Sequence, residues 1–375
     1  MHLNCDLHIH SCFSMASSAR MLPDAIFQGC MRKGITVIGT GDILHPTWRE
    51  MFETTTVPES MVVVPTTEVE GSDRVHHLIL LPDYGAAEEL AEAFSPHSKN
   101  ISKNGRPQVR LSGERIATEV HDAGGMIGPA HAFTPWTSIY ASHDSVASCY
   151  GDEPIDLLEL GLSADSTYGS RIADLVDIPF LTNSDAHSPD PAKLGREFTR
   201  IKVKTKNPDT NTILNAIKKG DIIMNAGFFP EEGKYNRTAC TRCFAMYSRT
   251  DAEKYKWKCP EDKGRIKKGV FDRAEELSNG PESERPEYLH IIPLAEIIQR
   301  TLGTCSATTK KCSELYNETL SRFGDEISIL TRIPVQDIKA FHQELGDAIA
   351  AFREGRIILH PGGGGKYGSF ELSGY

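Results

Sequence analysis

No stretch of this sequence stays apolar for the roughly 18 residues that a membrane span requires. The opening MHLNCDLHIHS lacks a positively charged start followed by an apolar run, so no signal peptide is read there. The nine cysteines are odd in number. Cys5, Cys12, Cys30 and Cys149 are scattered, without the regular spacing of a disulfide framework. These absences point to a cytoplasmic protein with no membrane partner. An excess of basic residues is also missing: the formal charge is −10, which argues against a general nucleic-acid coat protein. No internal repeat and no long low-complexity tract interrupts the chain. HPGGGGKYG is not a phosphate-binding Walker loop. Tyr367 stands where Ser or Thr is required and His360 where Gly is required, which excludes a kinase or ATPase reading.

What is present is alternation. From residue 1 to about 225, strand-like and helix-like segments take turns. Leu3–His10, Thr36–Thr40, Met61–Glu68 and Val75–Leu81 read as strands, and Pro23–Lys33, Ala86–Phe94 and Ser112–Ala123 as helices. Short strands follow at Met126–Pro129, Ile155–Leu160 and Pro179–Thr182, with helical Tyr168–Asp177 between the last two. Phe198–Val203 and Thr210–Lys218 close the series. This order predicts an α/β fold with a largely parallel sheet, open or closed, and a site at the carboxyl ends of its strands. Gly227–Gly233 reads as a linker and Glu275–Glu287 as a polar loop. Leu294–Leu302, Lys310–Phe323 and Val335–Arg353 read as helices.

The strand ends carry metal-ligand chemistry. His8 and His10 end the first strand, two residues apart and so on one face, with Asp6 beside them. Asp42 follows the second strand, Glu68 ends the third, and His76-His77 open the next. His131 follows Ile127–Pro129, and Asp185 and His187 follow Phe180–Thr182. Taken singly, each histidine is more often a satisfied core or surface residue. Converging on one rim, they supply enough ligands for two or three ions of zinc, manganese or magnesium type.

A second constellation is Cys240-Thr241-Arg242-Cys243 with Cys259 and Asp262, a zinc-ribbon spacing in which aspartate replaces the fourth cysteine. Three thiols and a carboxylate could hold a structural zinc, more weakly than four thiols. Basic residues gather around it at Lys254, Lys256, Lys258, Arg265, Lys267 and Lys268, interleaved with Tyr255 and Trp257, and read as a phosphate-backbone contact. Phe133 and Trp136, just after His131, read either as core or as a platform for an extruded base.

These motifs resemble the PHP (polymerase and histidinol phosphatase) superfamily, and more closely the endonuclease Q family of DNA-repair enzymes. The resemblance rests on GTGD (39–42), TTEVE (66–70), RVHHLIL (74–80), GPAHAFTPWTS (128–138), LELGLSADS (158–166), NSDAHSP (183–189), LGREF (194–198), HIIPLAEIIQ (290–299) and PGGGGKYG (361–368). It implies a distorted seven-stranded β/α barrel over residues 1–228, a zinc-ribbon-like module over 234–272 and a helical DNA-binding domain over 288–375. It implies that His8, His10 and Asp185 hold one metal, with Glu68 bridging to a second held by His77 and His131. His77 is favoured over His76 because it precedes the apolar Leu78–Leu80 run. Asp42 and His187 would serve a third metal, although Thr40-Gly41-Asp42 stands where many relatives carry Thr-Asp-His, and Ala16 where they often carry histidine. The catalytic set becomes His8, His10, Glu68, Asp185 and His187. Gly363, Gly364 and Lys366 of the glycine loop would touch DNA, as would Lys267 and Lys268.

The implied activity is hydrolysis, by metal-activated water, of the phosphodiester on the 5′ side of uracil, hypoxanthine, xanthine or an abasic site in double-stranded DNA. The competing expectation is a PHP phosphatase for a small phosphomonoester, which has no evident need of the roughly 150 residues after the barrel. A DNA-damage binding module with a vestigial barrel is disfavoured by the complete Glu68, Asp185 and His187 set. The chain ends in SFELSGY, without the clamp-binding peptide of some relatives, so a sliding-clamp partner is not expected.

Overall fold

The structure, a computed structural model, describes residues 1–374. Ten strands lie in the first 228 residues: β1 (His2–Asp6), β2 (Val37–Gly39), β3 (Val62–Val64), β4 (Thr66–Glu70), β5 (His76–Leu80), β6 (Met126–Pro129), β7 (Leu158–Glu159), β8 (Phe180–Leu181), β9 (Phe198–Lys202) and β10 (Ile222–Gly227). Five follow: β11 (Ala239–Cys240), β12 (Ile266–Lys267), β13 (Glu287–His290), β14 (Ile357–His360) and β15 (Ser369–Leu372).

The sheets are mixed rather than largely parallel. One runs β13-β10-β9-β1-β2-β3, another β4-β5-β6, and β7 pairs with β8. β1–β2, β2–β3, β7–β8 and β10–β13 are parallel, whereas β9 is antiparallel to both β1 and β10, and β4, β5 and β6 are antiparallel throughout. The β4–β5 reversal comes from a tight turn in which Arg74 takes φ 67 and donates its N–H to Gly71. Backbone hydrogen bonds join the three groups. Ile43 N–H reaches Thr66 O, Ala132 N–H reaches Glu159 O, and His10 N–H reaches Ala186 O. Leu3, Cys5 and Leu7 pack with Leu78, Leu80, Leu157, Leu181 and Ile201 in one buried cluster, so strands from every group share a core.

Helices form where their caps and apolar spacing indicate. Pro23–Lys33 starts with proline at its first position and stops at Gly34 (φ 88). Ser112 caps Gly113–Asp122 by accepting from Arg115 N–H. The expected helix at 168–177 is only a turn at Ser166–Gly169 and a short 3₁₀ segment at Ala173–Leu175. Val335–Arg353 divides at His342, whose extended backbone (φ −148, ψ 105) ends one helix and caps the next.

The last ninety residues are not a separate lobe. β13 joins the first sheet alongside β10, where a loop was expected up to 287. Ile26 and Phe27 share a buried cluster with Ile297, Leu315 and Ile349. Buried Lys33 donates to Glu326 at 2.7 Å, and Glu326 also accepts from Tyr316 Oη at 2.7 Å and Leu294 N–H at 3.0 Å. Leaving either charge unpaired in that interior would be strongly destabilising.

Candidate metal centre

β1 ends at Asp6, and the next four residues run along the strand ends rather than within a sheet. Asp6 is held aside: its carboxylate accepts from Ser184 N–H and Gly195 N–H, both at 3.0 Å. His8 and His10 are buried, and both aim Nε2 at one point. His10 Nε2 lies 3.1 Å from Asp185 Oδ1 and 3.4 Å from Glu68 Oε2; His8 Nε2 lies 3.8 Å from each. His8, His10 and Asp185 form one cluster of donor atoms.

Glu68, His76 and His131 form the adjoining cluster. Glu68 Oε1 is 2.7 Å from His76 Nδ1 and 2.9 Å from His131 Nε2. Glu68 therefore stands between the two groups, one oxygen toward each. The expected partner here was His77, and the structure corrects that. Neighbouring residues of β5 face opposite sides, and His77 points away, its Nδ1 2.7 Å from Tyr150 Oη.

Asp42 lies directly behind His10. Its Oδ1 lies 3.1 Å from His10 Nδ1, while Oδ2 accepts from Ser11 N–H, Ser11 Oγ and Ser14 Oγ at 2.6, 2.6 and 2.8 Å. These contacts fix Asp42 behind His10. Glu159 does the same for His8, its oxygens 2.9 and 3.0 Å from Nδ1. Such carboxylate–imidazole contacts fix the ring and leave Nε2 as the free donor. His187 sits at the mouth, stacked on His10 with ring centroids 4.4 Å apart, Nδ1 2.9 Å from Ser17 Oγ and Nε2 3.5 Å from Asp185 Oδ1.

The backbone is strained at these positions. Asp42, His131 and Asp185 adopt φ 50, 32 and 46, a region side chains other than glycine seldom occupy. Gly41, also left-handed, has no alternative: a Cβ there would come within 2.0 Å of Ile9 O.

The electrostatics demand positive charge in the middle. Burial works against charging His8 and His10, yet the surrounding carboxylates, Glu159 and Asp42 foremost, push both well above the usual imidazole range. Burial likewise opposes ionising Glu68, and the His76 charge with hydrogen bonds from His10, His131 and His76 outweighs it and holds Glu68 well below the usual carboxylate range. His8 Nε2, His10 Nε2 and Asp185 Oδ1 are buried and face only one another, Glu68 and His187, with no partner outside that group. Orphaned donor atoms converging in this way suit divalent cations bound by imidazole and carboxylate.

The cysteine cluster has a similar form. Cys240, Cys243, Cys259 and Asp262 bring their ligand atoms within 4.8 Å of one another. Cys240 Sγ lies 3.3 Å from Asp262 Oδ1 and Cys243 Sγ 3.6 Å from Cys259 Sγ. Asp262 thus occupies the fourth corner, and the set fits a tetrahedral zinc.

Comparison with known proteins bears on what this architecture is. A family model described as PHP-associated matches residues 169–222, and one described as MJ0043 C-terminal domain matches 293–356. The uncharacterized protein MJ0043 of Methanocaldococcus jannaschii is 44% identical over 248 residues, 64% of this chain, which spans only 31% of that longer protein. The uncharacterized protein YqxK of Bacillus subtilis is 33% identical over 310 residues, 80% of this chain and 74% of that one. The crystal structure of the lesion-specific endonuclease PfuEndoQ from Pyrococcus furiosus superposes with a TM-score of 0.94 at 42% identity, covering 99% of this chain and 96% of that one. An endonuclease Q complex with a 27-mer duplex carrying an abasic lesion at the active site superposes with a TM-score of 0.93 at 42% identity, over 99% and 97% of the two chains.

The chain belongs to the endonuclease Q family.

In this endonuclease Q family member, several residues expected to face DNA are instead committed to its own fold. Phe133 is buried against Tyr140 and Tyr168. Lys268 Nζ pairs with both oxygens of Glu276, at 2.7 and 3.0 Å. The glycine loop is a seam. Gly362 N–H donates to Glu231 O, Gly363 N–H to Lys366 O, Gly365 N–H to Lys234 O and Gly368 N–H to Glu232 O. Gly363 and Gly364 are buried, and a Cβ on Gly364 would meet Cys240 O at 2.1 Å. Glycine at 364 permits this close approach to the cysteine module. Trp136 and Lys366 remain exposed, and Lys267 Nζ sits 3.8 Å above the Trp136 ring. Residues not singled out from the sequence include Glu159, Asn183 and Arg106. Asn183 bridges Leu7 N–H and Glu159. Arg106 Nη1 lies 3.1 Å from Glu68 Oε2. A lone carboxylate within apolar Leu157–Leu162 was the signal for Glu159.

Proposed function

We propose that this protein is a DNA-repair endonuclease that hydrolyses the phosphodiester on the 5′ side of deaminated bases and abasic sites in duplex DNA. The observation that carries this reading is the pair of adjoining donor clusters, Glu68 of one lying beside His8 and His10 of the other, on the fold of the endonuclease Q bound to abasic-lesion DNA. The reading takes residues 1–228 as a distorted seven-stranded barrel, 234–272 as the zinc-ribbon-like module and 288–375 as a helical DNA-binding region.

His8, His10 and Asp185 would hold one divalent cation and His76 and His131 a second, with Glu68 between them. Such a pair would supply Lewis acidity, lowering the pKa of water so that hydroxide is available as the nucleophile and offsetting phosphate charge. Glu159 and Asp42 keep His8 and His10 in the tautomer that presents Nε2. Arg106, anchored on Glu68 at the rim, offers its remaining N–H donors to the phosphate. His187, one-third exposed at the mouth, would give a proton to the departing 3′ oxygen as the P–O bond breaks.

Beside the rim lies a cavity of about 440 Å³ lined by Asp185, His187, Lys193 and Arg196. Lys193 and Arg196 also border a second one of about 480 Å³ that includes Trp136, Phe228, Tyr235 and Tyr367. Aromatic walls with basic edges suit an extruded nucleotide, and a damaged or mispaired base costs least to extrude.

The test is gel electrophoresis of duplexes carrying uracil, hypoxanthine, xanthine, an abasic site or no lesion, with mapped cut positions. The expected result is cleavage 5′ of the lesion, lost on chelation and reduced at least about a thousandfold in Asp185→Asn, which retains duplex binding. Hydrolysis of a small phosphomonoester without duplex cleavage would overturn the reading.

A further inference from the structure

β5 carries adjacent histidines and sends them to opposite faces. His76 joins the rim. His77 is fully buried, contacts Tyr150 Oη through Nδ1 at 2.7 Å, and leaves Nε2 without a partner. On that far side stand Asp73 from the β4–β5 turn, His143 just beyond helix Ile139–Ser142, and Cys149 from helix Ala147–Tyr150. Their ligand atoms lie within 4.8 Å of one another. His143 Nε2 is 2.7 Å and Cys149 Sγ 3.7 Å from Asp73 Oδ2.

Two glycines border the group, and neither is in the left-handed region that would require glycine for backbone reasons. A Cβ on Gly71 would lie 2.9 Å from His77 Nε2 and 3.1 Å from Asp73 Oδ1. One on Gly113 would lie 2.7 Å from Cys149 Sγ and 3.2 Å from His77 Cε1. The orphaned edge of His77 therefore borders both the carboxylate and the thiol, across space that glycine leaves clear.

We propose that Asp73, His143 and Cys149, with the orphaned Nε2 of His77 nearby, form a further metal site of the zinc class, behind β5 and separate from both the rim centre and the cysteine module. The donor set of one thiolate, one imidazole and one carboxylate suits zinc, and the sulfur–oxygen separation is that of neighbouring donors on one tetrahedral ion. Asp73 and His143 side chains are 27% and 18% exposed, which gives the ion a way in from solvent. On binding, the Cys149 thiol releases its proton to solvent. The ion would tie three chain segments to the back of the strand whose front presents His76.

The experiment uses the full chain loaded with zinc. Anomalous diffraction at the zinc edge is expected to show a peak among Asp73, His143 and Cys149 in addition to those of the rim and the cysteine module. Peaks at the latter two with none here overturn the proposal. Metal analysis of wild type, His143→Ala and Cys149→Ser gives an independent reading: each variant should carry one zinc per chain fewer, and equal counts overturn it. His143→Ala alters a partly exposed side chain, so the question stays answerable if the buried Cys149→Ser fails to fold.

Discussion

The metal rim and the surface meant to meet DNA use the same kinds of residue in opposite ways. At the rim, polar groups are left over: His8 Nε2, His10 Nε2 and Asp185 Oδ1 face only one another, Glu68 and His187, with no partner outside that group. On the DNA-facing side most are used up. Lys268 is paired with Glu276, Phe133 is core, and the glycine-loop amides close onto residues 231–234 or onto the loop itself. A buried polar atom without a partner is costly, so leaving several together signals a ligand. A surface residue with a partner signals only that the fold has satisfied itself. The contrast separates site from scaffold more sharply than residue type does.

The two histidines of β5 break or sharpen this contrast most strongly. His76→Ala should lower cleavage of a uracil or abasic duplex by at least about a hundredfold, since it removes a donor facing Glu68, with the fold retained. His77→Ala should leave the rate within a few-fold. It instead destabilises the fold by about 1–3 kcal/mol, because Tyr150 Oη loses its buried partner. Steady-state cleavage and urea unfolding of both variants decide it. A catalytic collapse in His77→Ala with His76→Ala active would invert the assignment.

That pair also marks what could be read from the sequence. Strand ends and the convergence of His8, His10, Glu68, His131 and Asp185 were legible because they follow from alternation, spacing and family motifs. The choice between His76 and His77 was not, because two consecutive residues in a strand differ only in which face is the inside, and that is set by register. The Leu78–Leu80 run is buried on both sides, so hydrophobicity gave no direction. Asp42 was visible as a candidate, but its role behind His10 depends on Ser11 and Ser14 folding back onto it. The β9–β10 and β4–β6 antiparallel pairings were hidden for the same reason: sequence order does not state strand direction. The packing of PGGGGKYG against the cysteine module was not legible either, because glycine that serves a ligand and glycine that serves a neighbouring backbone look alike until the neighbour is placed.

A smaller effect tests the DNA side. Trp136→Ala should weaken binding of lesion-bearing duplex by about five- to a hundredfold, the range for losing one base–aromatic stack. Lys268→Ala should change binding less, because its charge is already engaged by Glu276. Phe133→Ala should cost stability, about 3–5 kcal/mol, rather than acting chiefly on affinity. Fluorescence anisotropy at fixed salt, beside thermal melts, distinguishes the three. Equal binding losses for Lys268→Ala and Trp136→Ala would show that the internal pair opens for DNA.

The smallest effect concerns a second buried carboxylate, and its sign is opposite to that of Glu68. Glu197 is fully buried and accepts only Phe228 N–H, through Oε1 at 2.9 Å, while Oε2 has no partner. Burial pushes its carboxyl from 4.5 up to about 8, more than the amide and nearby Arg196 can offset. Between those two values the folded chain keeps a proton that the unfolded chain has released. Stability therefore falls as pH rises through that window, and the full penalty stands above it. Asp6 and Glu232, raised by burial to about 6 and about 7, slope the same way. Glu197→Gln removes only the Glu197 share, so the informative quantity is the difference between variant and wild type in urea midpoint. That difference should be near zero or slightly unfavourable at pH 4.5 and grow in favour of the variant toward pH 8, by an amount on the order of a few kcal/mol. A flat difference would mean that Glu197 is solvated or paired in solution. The environment that stabilises an ionised Glu68 would then extend to carboxylates away from the imidazole cluster.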